Sequence, residues 1–408
     1  MKRSSALAAR RRFLFESLER RELLAGNVLV SLNDGTLTVT GDAGSNEITI
    51  YQQADGRFTI AGLNEEVFTG PTEDILARNI VVNLGAGDDS LTIAAQPIEG
   101  AETVLPAEVL GNTTINAGDG SDDIVVSIVG MQAGTFVLPA LSIKIDGGEA
   151  ITNNESTQRD SVVVLNSSAA SVSVKTGVGD DVVDLNNVIA VTLTVEAGPA
   201  TLPTGVSDLD IVDLTTVTAA TAKIDLGKNN SGNNLTLDTG LFGLLKIDGS
   251  NGVDDVEIDD TLAGLSLTLS TYGGADVVGL NNVQSGLTQA DYQNLLNLVV
   301  SSFGIDLSIL PFDLADLIQY LPDLPGYTTI STGDGADVVT ATNLTSTLAI
   351  YIYLDAGDDQ LRVDGVDSVI AFFWGGAGTD GRLVTGVDAL SELELQFESI
   401  LAPVDPGA

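Results

Sequence analysis

From Asn27 onward the chain alternates apolar and polar residues in short runs, and the alternation hardly stops. NVLVSL, GTLTVTG and NEITIYQ near the start have a period of two. That period puts one set of side chains on a buried face and the other in water, as in half-buried strands. Many runs are joined in pairs by a tight turn rich in Gly and Asp. NIVVNLGAGDDSLTI (79–93), NTTINAGDGSDDIVVSI (112–128), SVSVKTGVGDDVVDLNN (171–187), LLKIDGSNGVDDVEIDD (244–260) and SLTLSTYGGADVVGLNNV (266–283) all read as strand, turn, strand. Three further units follow between Tyr327 and Gly386. LSIKIDGG…RDSVVVLN, TLTVEAG…LDIVDL and AKIDLGKNNSGNNLTLDTG keep the strands and lose part of the turn. The last run, LELQFESI, reads as a final strand or a terminal cap.

The turn aspartates set the period. Asp254 and Asp276 are 22 residues apart, and Asp337, Asp359 and Asp380 follow one another at 22 and 21. Asp89 to Asp122 is 33, one period plus an insertion, and Asp276 to Asp337 is 61, one period plus an insert of about 40. Self-similarity at this length marks a stacked repeat. The expected fold is all-β: a parallel β-helix, or β-solenoid, with coils of about 21 residues over 27–408. Val172, Val174, Val183 and Leu185 point inward in one coil. Asn187, Asn282 and Asn343 each sit six residues after a turn aspartate, where stacked asparagines bond along the axis. The insert at about 284–326 has helical spacing at Leu295, Leu298 and Val299, with Thr288 and Asp291 placed to cap its start.

Composition narrows the chemistry. There is no Cys and no His, which removes the commonest zinc ligands and every Ser-His or Cys-His nucleophile. The 408 residues carry a formal charge of −40, and the basic residues concentrate in positions 1–26. Such a chain repels nucleic acid and attracts divalent cations or a basic partner. No run is long and apolar enough for a transmembrane segment.

The candidate chemistry lies in the turns. GAGDDSL, GDGSDDI, GVGDDVV and GDGADVV share G-x-G-x-D-x-apolar or a close variant. Glycine allows positive φ and leaves carbonyls accessible, and aspartate adds hard oxygen ligands. Ca2+ takes six to eight oxygens, more than one turn offers but within reach of two stacked turns. Turn geometry alone also favours Gly and Asp. These turns resemble the RTX nonapeptide G-G-x-G-x-D-x-U-x, whose stacked copies form a calcium-binding β-roll. The resemblance implies metal ligation by Asp89, Asp122, Asp181, Asp254, Asp276, Asp337, Asp359 and Asp380. The matching turn glycines are Gly85, Gly87, Gly177, Gly179, Gly333, Gly335, Gly357 and Gly378. RTX repeats recur every nine residues, whereas here one such turn recurs every 21 or so. The expectation is therefore a β-helix with one RTX-like edge.

Residues 1–26 form a basic N-terminal segment without the apolar stretch of a secretory signal. Its FESLERRELLAG run resembles the LEPR-XLL surface-targeting segment of planctomycetes and some other bacteria, with Arg20 where that family usually has proline. The resemblance implies export. The expected function is a non-enzymatic extracellular or cell-surface protein, structural or adhesive. Its partners are calcium ions, and a surface polysaccharide or another surface protein. The competing expectation is a polysaccharide lyase or glycoside hydrolase, for which Arg362 and Arg382 are the basic pair to inspect. No catalytic residue is assigned. Trp374 with Phe372, Phe373, Tyr351 and Tyr353 is the one aromatic cluster, and core packing accounts for it most simply.

Overall fold

The computed structural model describes residues 27–62, 67–96, 105–133, 136–138, 140–148, 159–199, 208–227, 231–293 and 322–401. The basic segment 1–26 and most of the helical insert lie outside these residues. The described chain is all-β, and its strands pair in parallel except at three hairpins.

Two long parallel ladders organise it. The first passes through 36–40, 79–83, 112–116, 142–146, 171–175, 192–196 and 221–225, and continues to 391–395. The second passes through 47–52, 90–95, 123–126, 161–164, 182–186 and 211–215, and continues to 381–385. Strands such as Ser161–Lys175, Val182–Glu196 and Ile211–Asp225 belong to both. Their first halves lie in the second ladder and their second halves in the first, with a bend between.

The bend is a left-handed residue. Asn166, Asn187, Asn282 and Asn343 have φ of 47–55°. Asparagine tolerates this region because its short polar side chain bonds locally. Here the bond runs to the neighbouring strand: Asn187 Nδ2 donates to Asn166 Oδ1 at 2.8 Å, and Asn282 Nδ2 to Asp260 Oδ1 at 2.6 Å.

Register follows the apolar alternation. Val162 faces Val183, 21 positions on, and Val256 faces Val278, 22 on. Val278 faces Val339 across the insert, so the insertion leaves the pairing intact. Val172, Val174, Val183 and Leu185 are fully buried, and one continuous apolar cluster runs from Val28 to Phe373. Each fully buried aliphatic contributes about 1.5–3 kcal/mol.

The two ends differ from the middle. At the N-terminal end Asn27–Asn33 and Thr36–Thr40 form an antiparallel hairpin over Asp34-Gly35, both at positive φ. Asp-Gly is the residue pair that a type I′ turn requires. Glu47–Gln52 and Phe58–Gly62 form a second hairpin, which buries Phe58. At the insert, Gln284 and Ser285 are still strand residues, and a Leu287–Leu324 bridge closes the neck. A helix begins at 289, where the Asp291 carboxylate accepts both the Thr288 amide and hydroxyl, as a cap should.

Candidate functional site: a buried carboxyl ladder

The turn aspartates sit two residues before the first inward apolar residue of the second ladder: Asp89 before Leu91, Asp181 before Val183, Asp337 before Val339. They continue the inward row, so the alternation that buries the valines buries the carboxyls too. The eight aspartates expected as metal ligands are at most 2% exposed. The structure brings all eight into one line.

The line is a hydrogen-bond ladder. The backbone N–H of each residue donates to a side-chain oxygen of the next. The order is Asn46, Asp89, Asp122, Asp160, Asp181, Asp210, Asn233, Asp254, Asp276, Asp337, Asp359, Asp380 and Glu398, with distances of 2.7–3.1 Å. Each carboxylate thus satisfies an amide that would otherwise be buried without a partner. Sequence reasoning missed Asp160, Asp210, Asn233, Asn46 and Glu398, because their turns have lost the Gly-x-Gly pattern. The signal that finds the first four is simpler: Asp or Asn two residues before the first inward position. Glu398 precedes the exposed Ile400.

One oxygen of most carboxyls remains. The Oδ2 atoms of Asp89, Asp122, Asp181, Asp210, Asp276, Asp337, Asp359 and Asp380 are buried with no hydrogen-bond partner of their own. The Thr176, Thr271 and Thr332 hydroxyls, which donate to carbonyls, lie beside the carboxyls of Asp181, Asp276 and Asp337 and favour their charged form. Asp254 differs: its Oδ2 accepts the Ser250 amide and its Oδ1 the Ser250 hydroxyl. Asn233, the neutral member, donates its Nδ2 to the Leu226 carbonyl.

Burial disfavours the charged form, and desolvation is the largest cause of every shift here. It pushes Asp89 and Asp181 up to about 6, Asp122, Asp276 and Asp359 to about 7, and Asp160 to about 8. Asp210 rises to about 10, with the neighbouring Asp208 charge as second cause. Asp254, Asp337 and Asp380 are raised as well. In a row of carboxyls at strand spacing, about 4.8 Å, each charge adds to the cost of its neighbours' charges, so the protonated form is favoured.

The glycines have two separate reasons. Gly85, Gly87, Gly177, Gly179, Gly333 and Gly378 lie at positive φ. Gly335 and Gly357 do not; a Cβ on either would overlap the carbonyl oxygen of the glycine stacked on it, Gly274 or Gly335. The turns are therefore tied along the stack by their own backbone. Ala356 and Ala377 carbonyls accept the Gly335 and Gly357 amides.

The donor set fits a hard cation in kind, being oxygen only, with the unpartnered Oδ2 atoms as first candidates. The Oδ2 atoms of Asp208 and Asp210 both approach Gly198, at 2.6 and 3.0 Å from where a Cβ would sit. Among the described residues no three acidic side chains cluster closely enough to hold a metal by themselves. A cation here would need backbone carbonyls as well.

The basic pair is split between the two sides of the second ladder. Arg382 and Glu394 occupy inward positions of the last complete pair of strand segments, opposite Leu361 and Phe373. They form an ion pair, and Arg382 lies over the Phe397 ring. The pair closes the apolar core at its end. Arg362 lies on the outward side of the second ladder. The aromatic cluster also departs from expectation. Only Phe373 is core; Tyr351, Tyr353, Phe372 and Trp374 alternate with it and with Ile350 and Ile352, and face outward. An open cleft of about 480 Å³ beside the insert neck holds Asp323, Asp367 and Asp388 and, among the described residues, no basic one. Among the described residues no helix is long and apolar enough to cross a membrane. Neither a family model, nor a curated protein, nor a solved structure matches the chain.

Proposed function

We propose that the chain is a non-enzymatic, extracellular structural protein: a parallel β-solenoid with coils of about 21 residues, forming an acidic rod that calcium stabilises along its carboxyl ladder. The observation that carries this reading is the row of buried, unpartnered Oδ2 atoms running from Asp89 to Asp380. A scaffold that only needed tight turns would gain more from Asn, as at position 233. Retaining ten aspartates in a core is costly unless something neutralises them. The residues that would hold calcium are Asp89, Asp122, Asp181, Asp254, Asp276, Asp337, Asp359 and Asp380, joined by Asp160, Asp208 and Asp210. Bound there, the ion would supply charge neutralisation and would cross-link adjacent coils. Export rests on the LEPR-XLL-like segment.

The test is thermal unfolding of the full chain followed by far-UV circular dichroism, in EDTA, in millimolar calcium and in magnesium. A calcium-specific rise in Tm is expected, because a ligand of the folded state stabilises it by mass action. Equal Tm values in EDTA and calcium at neutral pH would overturn the metal part and leave a rod whose ladder holds protons. The enzymatic reading would place its acids in the cleft beside the insert neck. Release of reducing or unsaturated ends from a polysaccharide panel would support it over the structural one.

A further inference from the structure

We infer that the outward face of the first ladder binds a neutral, extended polysaccharide, anchored on the aromatic array Tyr351, Tyr353, Phe372 and Trp374. The array is two by two. Strand register sets Tyr351 beside Phe372 and Tyr353 beside Trp374. Ring centroids are 5.5–6.4 Å apart. Tyr351 and Tyr353 stack at 9° between planes, and Trp374 stands at 87° to Tyr353. None of the four is needed by the core, since Ile350, Ile352, Ala371 and Phe373 fill it from the same strands. Leu393 and Leu395, 48% and 43% exposed, carry the apolar surface onto the next strand.

Charge selects the occupant. Of the lysines after residue 26, Lys144, Lys175, Lys223 and Lys246 all point outward from this ladder, and the fifth lies outside the described residues. Each is paired with an acid, to Asp146, Glu196, Asp225 and Asp248 respectively, so the pairs add no net charge to the face. Between the pairs and the rings the outward positions include Thr268, Ser270, Thr329 and Ser331, with Tyr327 in the same row. The outward face of the second ladder is different in kind: Asp184, Asp213, Asp238, Asp255, Glu257 and Asp259 stand there with no lysine.

The outward acids Asp146, Glu196, Asp225 and Asp248 of this face are each paired with a lysine, unlike those of the second ladder, and the face ends in half-buried rings. A second copy of this chain would bring its own charge against the first. An anionic glycan meets the same repulsion. A neutral polyhydroxylated chain meets none. Its C–H faces stack on the rings, and its hydroxyls find acceptors and donors at Asp355, Gln396 and the serine and threonine rows. Asp355 already accepts the Ser331 hydroxyl, and Gln396 accepts the Trp374 indole N–H. The site is independent of the carboxyl ladder, which is buried on the other ladder's strands.

Trp374 is the only tryptophan, so its fluorescence reports this site directly. The full chain is titrated with neutral hexasaccharides (cello-, laminari-, manno-, xylo- and chito-series), with hexagalacturonate as anionic control. Saturable change in Trp374 emission with at least one neutral series, and none with hexagalacturonate, is the expected result. Tyr353→Ala should weaken that binding about tenfold or more, as stacked rings do elsewhere, and Trp374→Ala should do so by calorimetry. Circular dichroism establishes that both variants fold, and Leu141→Ala, exposed on another part of the molecule, should bind as the parent does. Three outcomes would overturn the inference. They are no response to any neutral series, a response to hexagalacturonate alone, and emission that is concentration-dependent or already shielded without glycan.

Discussion

At the residue scale the informative atoms are the two oxygens of one carboxyl. In Asp122, Oδ1 accepts the Asp89 amide while Oδ2 is buried without a partner. The two atoms make opposite demands on a substitution. Asp122→Asn keeps the acceptor and removes the buried charge, as Asn233 does naturally. Without metal at neutral pH it is expected to leave stability equal or higher. Asp122→Ala orphans the Asp89 amide and should lose about 1–3 kcal/mol. In calcium the order between parent and Asn variant should reverse, since the side-chain amide brings no negative charge and its one oxygen is already taken by the Asp89 amide. Denaturant unfolding of the three proteins, with and without calcium, checks both halves.

At the scale of the element, the strands and their ends explain what was legible. Alternation over runs such as SVSVK and VVDLNN fixed the inward residues, and Val172, Val174, Val183 and Leu185 are buried as that pattern requires. The asparagines at 187, 282 and 343 marked the bend because few other side chains accept left-handed backbone. The eight aspartates were found through their glycines, and the degenerate members were missed for the same reason: inward alternation, not the Gly-x-Gly turn, puts Asp160 and Asp210 in the line. The antiparallel start was missed: Asp34-Gly35 carries the signal of a hairpin turn, but the same strands were read into the parallel stack. The aromatic positions could not be assigned from period alone, because FFW offers either phase to the core. Arg382 and Glu394 were equally opaque, since an inward ion pair makes sense only where the stack ends. Replacing both by valine continues the apolar row to the edge of the described strands, where Phe397 packs against it. The double variant is expected to associate in a concentration-dependent way in sedimentation velocity, where the parent does not; an unchanged sedimentation coefficient would argue against the capping role.

At the scale of the whole molecule, the ladder couples stability to pH. The folded chain holds protons on Asp122, Asp160 and Asp210 up to about pH 7, 8 and 10, while the unfolded chain releases them near pH 4. The folded state therefore binds more protons across that window, and stability falls as pH rises. In EDTA, Tm should decline from pH 5 to pH 9, and calcium at pH 9 should recover part of the loss. A Tm that holds level from pH 5 to pH 9 in EDTA would count against the buried carboxyls as the source. The ladder has one more property. Every one of its bonds runs from an amide to the following carboxyl or amide oxygen, so each rung presents the same donor below and the same acceptor above. Loss of one whole period, residues 161–181 for example, would place the Asp160 amide before Asp210 and Ile143 and Ile145 beside Leu193 and Val195, with one misfit, Asp146 beside Glu196. Chain length is then a quantity that a gene can raise or lower by unequal exchange with most contacts kept in kind. The number of paired strands becomes an inherited variable, stepped one ladder position at a time.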